Sequence, residues 1–152
     1  MQQLTPSNPP IIAIIGLGYV GLPLALAFSK HYQVIGYDLN HARVDALKKG
    51  EDTTLETDAE AIKNANHLVL TNDLAKIASA TVFIVTVPTP VNADKSPDLS
   101  SLLYASSQIA SLLKRGDIVI YESTVYPGCT EEDCVPVLEK KSGLKFNIDF
   151  YC

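Results

Sequence analysis

Residues 11–21, IIAIIGLGYVG, join an unbroken apolar run to three closely spaced glycines. The run itself, 11–15, is rich in β-branched residues, which is typical of a strand buried on both faces of a parallel sheet. The segment 20–30, VGLPLALAFSK, is apolar on most sides and predicts a helix that packs on this sheet. Pro23 is compatible with such a helix only within its first turn.

The glycines form the pattern G-x-G-x-x-G between the predicted strand and the predicted helix. In a dinucleotide-binding turn Gly16 allows a tight turn off the strand, Gly18 lets a pyrophosphate approach the backbone, and Gly21 lets the helix lie close to the strand. The N–H groups of the turn and the helix dipole favour negative charge. This context predicts a dinucleotide phosphate site.

Asp38 ends a second predicted strand, 33–38, and lies 17 residues after Gly21. A carboxylate near this spacing accepts hydrogen bonds from the adenosine ribose hydroxyls and repels a 2′-phosphate, which favours NAD over NADP. Asp38 can instead help to cap the helix predicted from Asn40 to Lys49. Arg43 lies near the ribose or the adenine, or is a surface cation of that helix, and its proximity leaves NADP open.

Predicted strands and helices alternate along the rest of the chain, which indicates a parallel sheet with helical crossovers. We therefore expect an α/β, Rossmann-type doubly wound sheet in a single domain over residues 11–152, behind a flexible leader, 1–10. The remaining predicted strands are 67–71, 81–87, 117–121 and 145–152, and the remaining predicted helices are 58–64, 73–78, 100–114 (with a basic last turn) and 128–141.

Two hydroxyl-bearing segments, TVPTP at 86–90 and ESTV at 122–125, follow predicted strands. Ligands of open α/β sheets bind at the carboxyl ends of strands, so these hydroxyls can meet the nicotinamide ribose or a bound water. Ordinary turn hydrogen bonds explain the same residues equally well. The sequence leaves both interpretations open.

The composition argues against several classes of protein. The net charge of -5 and the lack of a basic stripe argue against nucleic acid binding. No apolar run approaches the roughly 18 residues of a membrane span, and no signal peptide is visible. The three cysteines, an odd number without framework spacing, favour a reducing, cytoplasmic location, and no Cys/His set has metal-ligand spacing.

Four phrases together carry a family resemblance: GLGYVGLPLA from Gly16, GYD ending at Asp38, VPTP from Val87 and ESTVYPG from Glu122. On these residues the chain resembles the amino-terminal NAD-binding domain of the UDP-glucose/UDP-mannose dehydrogenase superfamily. The segments VPTPVNADKSPDLS and YPGCTEEDCVPVLE look most like the branch that oxidises UDP-N-acetylhexosamines for bacterial capsule and O-antigen (Vi-type) polysaccharide.

The resemblance implies an NAD-dependent oxidoreductase that oxidises the sugar C6 alcohol to a carboxylate with two NAD. Asp38, with Arg43 beside it, would bind the adenosine ribose. Thr124 would be catalytic, since it would help to hold the catalytic water and the charge that develops on the substrate oxygen. The cofactor-binding residues implied in this way are Gly16, Gly18, Tyr19, Val20, Gly21, Asp38, Arg43, Pro88, Thr89, Ser123 and Thr124, with Pro88 and Thr89 on the nicotinamide half.

The resemblance also implies what this chain lacks, because the family's catalytic cysteine and most UDP contacts lie in a carboxyl-terminal half. Cys129 is surrounded by acidic residues and Cys134 is expected to pack inward, so neither suits a nucleophile. We expect a fragment of a longer, homodimeric protein that alone binds NAD and does little chemistry. Residues 145–152 would form an apolar strand edge that favours self-association.

Two alternatives remain on sequence grounds. A non-catalytic NAD-binding sensor module would carry the same glycine pattern, because fold does not fix function. A 3-hydroxyacid or 6-phosphogluconate type dehydrogenase domain would share the fold. Such enzymes often need an arginine where Asp38 stands, and they lack the paired VPTP and STVYPG segments.

Overall fold

A five-stranded parallel sheet forms the centre of residues 9–152, the part of the chain that the computed structural model describes. Its strands are β1 (Ile11–Ile15), β2 (Gln33–Tyr37), β3 (Leu68–Thr71), β4 (Val82–Val85) and β5 (Ile118–Tyr121). They lie side by side in the order β3-β2-β1-β4-β5. This order confirms the predicted Rossmann-type sheet. The predicted leader falls largely on residues 1–8, outside the described residues.

The central strand β1 pairs on both sides, with Ile12 opposite Val34 of β2 and opposite Val82 of β4. The chain builds outward through β2 and β3 on one side and then returns to add β4 and β5 on the other. Because all pairs are parallel, the carboxyl ends of the strands share one edge. The reversal of direction opens a crevice at that edge, beside the ends of β1 and β4.

Helices cover both faces of the sheet. They are α1 (Gly21–Ser29), α2 (His41–Lys48), α3 (Ala59–Lys63), α4 (Ser100–Ala110) and α5 (Val135–Ser142). Alternate residues of β1 enter two separate hydrophobic clusters: Ala13 and Ile15 face the cluster of α4 and α5, whereas Ile12 and Ile14 face that of α1, α2 and α3. None of the helices in residues 9–152 is long and apolar enough to cross a bilayer.

The first half of the chain follows its predicted elements closely. Helix α1 holds Pro23 in its first turn, and the Asn40 side chain caps α2 by accepting the Arg43 N–H at 3.2 Å. Gly50, with φ of 83°, follows the end of α2. The predicted helix 73–78 is a 3-10 helix, Leu74–Ser79, and the predicted strand 81–87 is shorter, Val82–Val85.

Helix α4 ends at Ala110, four residues before its predicted end, so the predicted basic last turn is wrong. The Ser111 hydroxyl donates to the Gln108 carbonyl at 2.6 Å and competes with the helical ladder there. Gly116, with φ of 90°, then turns the chain toward β5. Lys114 consequently lies in a turn, beyond the helix.

The predicted helix 128–141 consists of two parts, a π-helical turn (Thr130–Cys134) and α5. Pro136 lies in the first turn of α5 and has no N–H to continue an α-helical ladder from the preceding turn. The wider π-helical turn accommodates this missing donor. Cys129 and Cys134, at the two ends of the turn, are both fully buried.

The predicted strand 145–152 is wrong. Asn147 adopts a left-handed φ of 61°, and the Asp149 carboxylate accepts the Lys145 N–H at 3.0 Å, so the chain turns back on itself. Phe150 is buried against the core and does not lie on an apolar edge. Only Tyr151 joins the sheet, by one parallel bridge to Ile118.

A buried carboxylate fixes the turn between α4 and β5, away from the crevice. Asp117 accepts hydrogen bonds from the Lys114 N–H at 2.8 Å and from its Nζ at 3.1 Å. The same Nζ donates to the carbonyl of Ala80 at 2.9 Å and lies 5.9 Å from the centre of the Phe83 ring. Burial raises the pKa of Asp117 above its ordinary value, and the hydrogen bonds from Lys114 offset this only in part.

We predict that Lys114→Met lowers the free energy of unfolding by about 2 kcal/mol at pH 7, because it leaves a buried carboxylate short of its partner. A raised pKa means that folding favours the protonated acid. The loss should therefore shrink as the pH falls and Asp117 takes up a proton. Urea unfolding at several pH values measures both effects.

The matched control for this prediction is Arg115→Met. Arg115 is 79% exposed and its ion pair with Asp149 spans 3.4 Å, so its removal should cost less than about 1 kcal/mol. Two results would contradict the role assigned to Asp117. One is an equal decrease in the free energy of unfolding in the two variants, and the other is a decrease in Lys114→Met that does not depend on pH.

Candidate functional site

The glycine turn, residues 16–21, follows β1 at the edge where the crevice lies. Gly16 has a φ of 97°, and its N–H donates to the Tyr37 carbonyl at 2.8 Å. A Cβ on Gly21 would lie 1.8 Å from the Gly16 carbonyl oxygen, so helix α1 can start here only without a side chain. Gly16 and Gly21 therefore meet the steric requirements expected of them: Gly16 adopts a positive φ, and Gly21 lets the helix lie close to the strand.

Gly18 differs from its neighbours because a Cβ built on it would meet nothing within 4 Å. The backbone at this point faces open space. Tyr19 and Val20, which follow it, are 69% and 54% exposed. The N–H groups of these three residues make no hydrogen bond to any other residue in 9–152. An uncovered row of donors at the start of a helix is suited to an anion.

Thr86, directly after β4, holds the glycine turn from the side. Its hydroxyl lies 2.7 Å from the Gly16 carbonyl oxygen and 3.1 Å from that of Ile15. Its backbone N–H donates to Ile15 as well, at 2.9 Å. The sequence pattern places Thr86 in the segment 86–90 but does not indicate this contact with the glycine turn.

Asp38 lies in the wall of the crevice and contacts the same turn. One carboxylate oxygen accepts the Leu17 N–H at 2.8 Å, and the other accepts the Asn40 N–H at 2.8 Å. The two interpretations of Asp38 are thus compatible, because it supports the start of α2 while it faces the crevice. A carboxylate has about four lone-pair sites, so further donors can still bind.

Arg43 points inward from α2, and the interpretation as a surface cation is wrong. Only 9% of the residue is exposed. Its Nε donates to the Leu17 carbonyl at 2.9 Å, and its Nη1 pairs with Asp52 at 2.8 Å and donates to Thr53 at 3.0 Å. Its Nη2 is buried without a partner among the described residues.

Asp52 organises the polar segment that follows α2, where the sequence shows no periodic pattern. Its side chain is 2% exposed and accepts hydrogen bonds from the backbone and hydroxyls of Thr54 and Thr57. Burial raises the pKa of Asp52, but the hydrogen bonds from Thr54, Arg43 and Thr57 outweigh it and hold the pKa well below the ordinary 3.8. The side chain is therefore an anion at neutral pH.

The crevice has a volume of about 420 Å³ and lies between the ends of β1, β2 and β4 and one face of α4. Its walls are mainly apolar, with a few polar groups, as is usual for a small-molecule site. Of the residues predicted to bind the cofactor, three contribute to it. The lining residues are Ile15, Gly16, Tyr37, Asp38, Leu39, Leu74, Ile77, Val87, Pro88, Ser100, Ser101, Tyr104, Ala105, Gln108 and Ile109.

One face of α4 contributes residues to the crevice that are not among the predicted site residues. Ser101, Tyr104 and Gln108 follow one another at helical spacing, beside the apolar stripe that packs on the sheet. Tyr104 is 48% exposed and its hydroxyl accepts a bond from Gln108 at 2.6 Å. A helical wheel would have shown this polar and aromatic row next to the apolar stripe.

The segments after β4 and β5 are joined by two hydroxyl groups. The Thr89 hydroxyl donates to the Thr124 carbonyl at 2.7 Å, and the Ser123 hydroxyl donates to the Val87 carbonyl at 2.6 Å. Both hydroxyl protons are therefore used in hydrogen bonds within the protein. Thr124 is exposed, and its own hydroxyl makes no hydrogen bond to another residue in 9–152. Tyr126, two residues on, donates to Asp133 and ties this segment to the π-helical turn.

The two buried cysteines are unsuited to nucleophilic chemistry. Burial raises the pKa of Cys134 to about 11, and it raises the pKa of Cys129 above its ordinary value. Both are therefore thiols at neutral pH. Cys152 is exposed. Residues 9–152 contain no group of His, Cys, Asp and Glu side chains placed to hold a metal ion.

Comparison with known proteins connects this geometry to a family. The NAD binding domain of the UDP-glucose/GDP-mannose dehydrogenase family matches residues 11–152. Over 140 residues the chain is 58% identical to the UDP-N-acetyl-D-glucosamine 6-dehydrogenase of Pseudomonas aeruginosa and 56% identical to that of Salmonella typhi. Each alignment covers 92% of this chain and 33% of the relative, so the chain spans about a third of their length.

The fold is also similar to that of a solved dehydrogenase structure. The solved structure of the UDP-D-ManNAc dehydrogenase from Pyrococcus horikoshii superposes with a TM-score of 0.87 at 36% sequence identity. The superposition covers 92% of this chain and 34% of that one.

We predict that Asp52→Asn lowers the free energy of unfolding by about 3 kcal/mol at pH 7, because it breaks a buried ion pair. A lowered pKa means that the charged acid stabilises the fold above the ordinary value of 3.8 and that this contribution is lost as the pH falls below it. The difference between the parent chain and the variant should therefore stay constant from neutral pH to about 4 and then shrink.

Asp58→Asn is the control for this measurement. Asp58 is exposed and makes no side-chain capping bond, so its replacement should change stability by less than about 0.5 kcal/mol. If Asp52→Asn lowers the free energy of unfolding by an equally small amount, the ion pair with Arg43 does not stabilise the segment that follows α2.

Proposed function

The chain belongs to the UDP-glucose/GDP-mannose dehydrogenase family and comprises that family's NAD binding domain, and on this premise we propose that it is the cofactor-binding part of a UDP-N-acetylhexosamine 6-dehydrogenase. The proposal rests on one structural observation above all. The bare backbone at Gly18, with unpaired N–H groups beside it, adjoins a crevice whose wall carries the carboxylate of Asp38.

The residues of the turn fit a diphosphate. The space next to Gly18 is open, and Asp38 and Thr86 hold the turn around it through hydrogen bonds to its backbone. The free N–H groups of Gly18, Tyr19 and Val20 would donate to phosphate oxygens at the start of α1. Gly16 and Gly21 would keep the turn close enough to β1 for this contact.

The adenosine end would lie in the crevice. Asp38 would accept hydrogen bonds from the ribose hydroxyls with the lone pairs that Leu17 and Asn40 leave free. The apolar walls, with Leu39 and Tyr104, would surround the adenine. Arg43 would support this end from behind, through the Leu17 carbonyl.

The nicotinamide end would lie at the segments that follow β4 and β5. NAD supplies the hydride acceptor when it is bound. Pro88 and Thr89 would line this end, and Ser123 would contact the cofactor through its oxygen, since its proton is held by Val87. The free hydroxyl of Thr124 would hold the catalytic water and donate to the substrate oxygen as negative charge develops there.

The covalent part of the reaction would belong to residues outside 11–152. The family resemblance assigns it to a cysteine, and burial and the raised pKa values of Cys129 and Cys134 argue against these two thiols. Alone, the chain would bind NAD in the micromolar range or more weakly and turn over little sugar. The complete enzyme would be a cytoplasmic homodimer that produces a UDP-N-acetylhexosaminuronic acid for capsule or O-antigen polysaccharide.

We predict that Gly18→Ala weakens NAD binding by about tenfold or more while the melting temperature changes by only about 2 °C, because the new methyl group enters the ligand space alone. Gly21→Ala is the matched comparison. Its Cβ would collide with the Gly16 carbonyl, so it should destabilise the fold by about 3 kcal/mol or more. Calorimetric titration with NAD and thermal unfolding separate the two effects.

The two glycine variants also define what would count against the site. Undiminished NAD affinity in Gly18→Ala would mean that the diphosphate does not lie beside Gly18. Tighter binding of NADP than of NAD by the unaltered chain would contradict the proposed role of Asp38.

The enzymatic proposal is tested by exchange. Residues 11–152 would replace the matching third of the Pseudomonas aeruginosa enzyme, which is 58% identical over the aligned region. We expect the hybrid to release two NADH for each UDP-N-acetyl-D-glucosamine oxidised. Thr124→Ala in the hybrid should lower kcat by about a hundredfold, because a hydrogen-bond donor to the developing charge is lost. Thr124→Ser should retain most of the activity.

The hybrid also has informative failures. A hybrid that binds NAD but forms no NADH would favour a sensor module over an enzyme. Full activity in Thr124→Ala would show that this hydroxyl takes no part in the reaction. This conclusion would not depend on which UDP-sugar is the substrate.

A further inference from the structure

Thr86 and Asp38 hold the two ends of one peptide group in the glycine turn. The carbonyl of this group belongs to Gly16 and accepts the Thr86 hydroxyl at 2.7 Å. Its N–H belongs to Leu17 and donates to Asp38 at 2.8 Å. The C=O and N–H of a trans peptide point in opposite directions, so the two bonds hold it from opposite sides. The side chains that follow β4 and β2, the two neighbours of β1, thus clamp this peptide between them.

Gly16 itself restrains this peptide little. Its φ of 97° lies in the left-handed region, and a residue without a Cβ tolerates a wide range of ψ, so the peptide that follows it can rotate. Among residues 9–152 no other donor bonds to the Gly16 carbonyl. On its carbonyl side, the orientation of the peptide therefore depends on the hydroxyl of Thr86.

The hydroxyl of Thr86 reaches this carbonyl because Gly21 has no side chain. A Cβ on Gly21 would lie 2.5 Å from the Thr86 Oγ1, as well as 1.8 Å from the Gly16 carbonyl oxygen. The hydroxyl therefore occupies space that a side chain at the start of α1 would fill. It has one proton and two nearby acceptors, and the carbonyl of Gly16 is closer than that of Ile15, at 2.7 against 3.1 Å.

The clamped peptide directly precedes the free donors of the turn. The next peptide joins the Leu17 carbonyl to the N–H of Gly18, the first of three N–H groups that make no hydrogen bond within residues 9–152. Rotation of the clamped peptide changes the backbone torsions at Leu17, and the direction of the Gly18 N–H changes with them. A row of N–H donors binds an anion well only when its members point at the same place.

We propose that Thr86 is a positioning residue for the diphosphate of the cofactor: its hydroxyl fixes the peptide that follows Gly16, so that the free N–H groups of residues 18–20 converge on the phosphates. Because its one proton is donated to the backbone, Thr86 acts through the turn and not as a donor to the phosphate. The glycine pattern therefore needs a hydroxyl from the neighbouring strand end. This inference rests on the proposed NAD site.

The test compares two threonines at opposite ends of β4. Thr86→Val removes the clamping hydroxyl at nearly constant shape. Thr81→Val makes the same change before the strand, where the buried hydroxyl has no partner among the described residues. Thr86→Ser keeps the hydroxyl. NMR titration of each isotope-labelled variant with NAD, ADP and adenosine gives the dissociation constants, and the backbone resonances report whether the variant is folded.

We expect Thr86→Val to weaken the binding of NAD and of ADP by about tenfold, the equivalent of one hydrogen bond. Adenosine carries no phosphate, so its affinity should fall by less than about twofold. Thr81→Val should leave all three affinities within about twofold of the unaltered chain, and Thr86→Ser should retain most of the affinity for NAD. Without ligand, the Gly18 amide resonance should move in Thr86→Val and stay in place in Thr81→Val.

If Thr86→Val does not fold, Thr86→Ser and Thr86→Cys are compared in its place. A thiol is a weak hydrogen-bond donor, so the Cys variant should bind NAD and ADP about fivefold more weakly than the Ser variant, with little change for adenosine. Equal affinities for NAD in these two variants would contradict the inference.

The main comparison has two outcomes that would overturn the inference. One is an NAD affinity that is the same in folded Thr86→Val as in Thr81→Val. The other is a loss of adenosine affinity as large as that of ADP, because Thr86 would then support the whole site and not the diphosphate donors. In both cases the unaltered chain still binds NAD, whereas its failure to bind NAD would contradict the proposed function itself.

Discussion

The geometry of the glycine turn depends on polar contacts that its neighbours make with its backbone. The Gly16 carbonyl faces the Thr86 hydroxyl, the Leu17 N–H donates to Asp38, and the Leu17 carbonyl accepts from Arg43. Buried backbone groups need such partners. The first residues of the turn therefore find their hydrogen-bond partners within the protein, whereas the N–H groups of Gly18, Tyr19 and Val20 have none among the described residues.

Local chemistry made much of this fold predictable from the sequence. The β-branched run before Gly16 and the missing side chain at Gly21 specify a strand and a closely packed helix with no help from distant residues. Asn40 caps α2 as expected because the capping bond, to the N–H of Arg43, is local. The predicted bounds are wrong at the end of α4, where the Ser111 hydroxyl competes for a helical carbonyl. The predicted strand 145–152 is wrong because Asn147, in a left-handed conformation, reverses the chain.

The site was predictable only in part, because two of its features depend on long-range packing. The inward course of Arg43 requires Asp52, which lies in a polar segment without any periodic pattern. Tyr104 and Gln108 line the crevice only because α4 packs beside the ends of the strands. Sequence spacing places residues on elements, whereas the partner of a charged side chain is decided by which elements meet.

The hydroxyl contacts between the segments after β4 and β5 have a consequence for the energetics of association. The Thr89 and Ser123 bonds fasten each segment to the backbone of the other, at 2.7 and 2.6 Å. The conformational entropy of these segments is thus lost when the chain folds, and little remains to be lost when a molecule docks against them. Preorganisation of this kind favours slow dissociation of whatever they hold and narrows the range of poses that it can adopt.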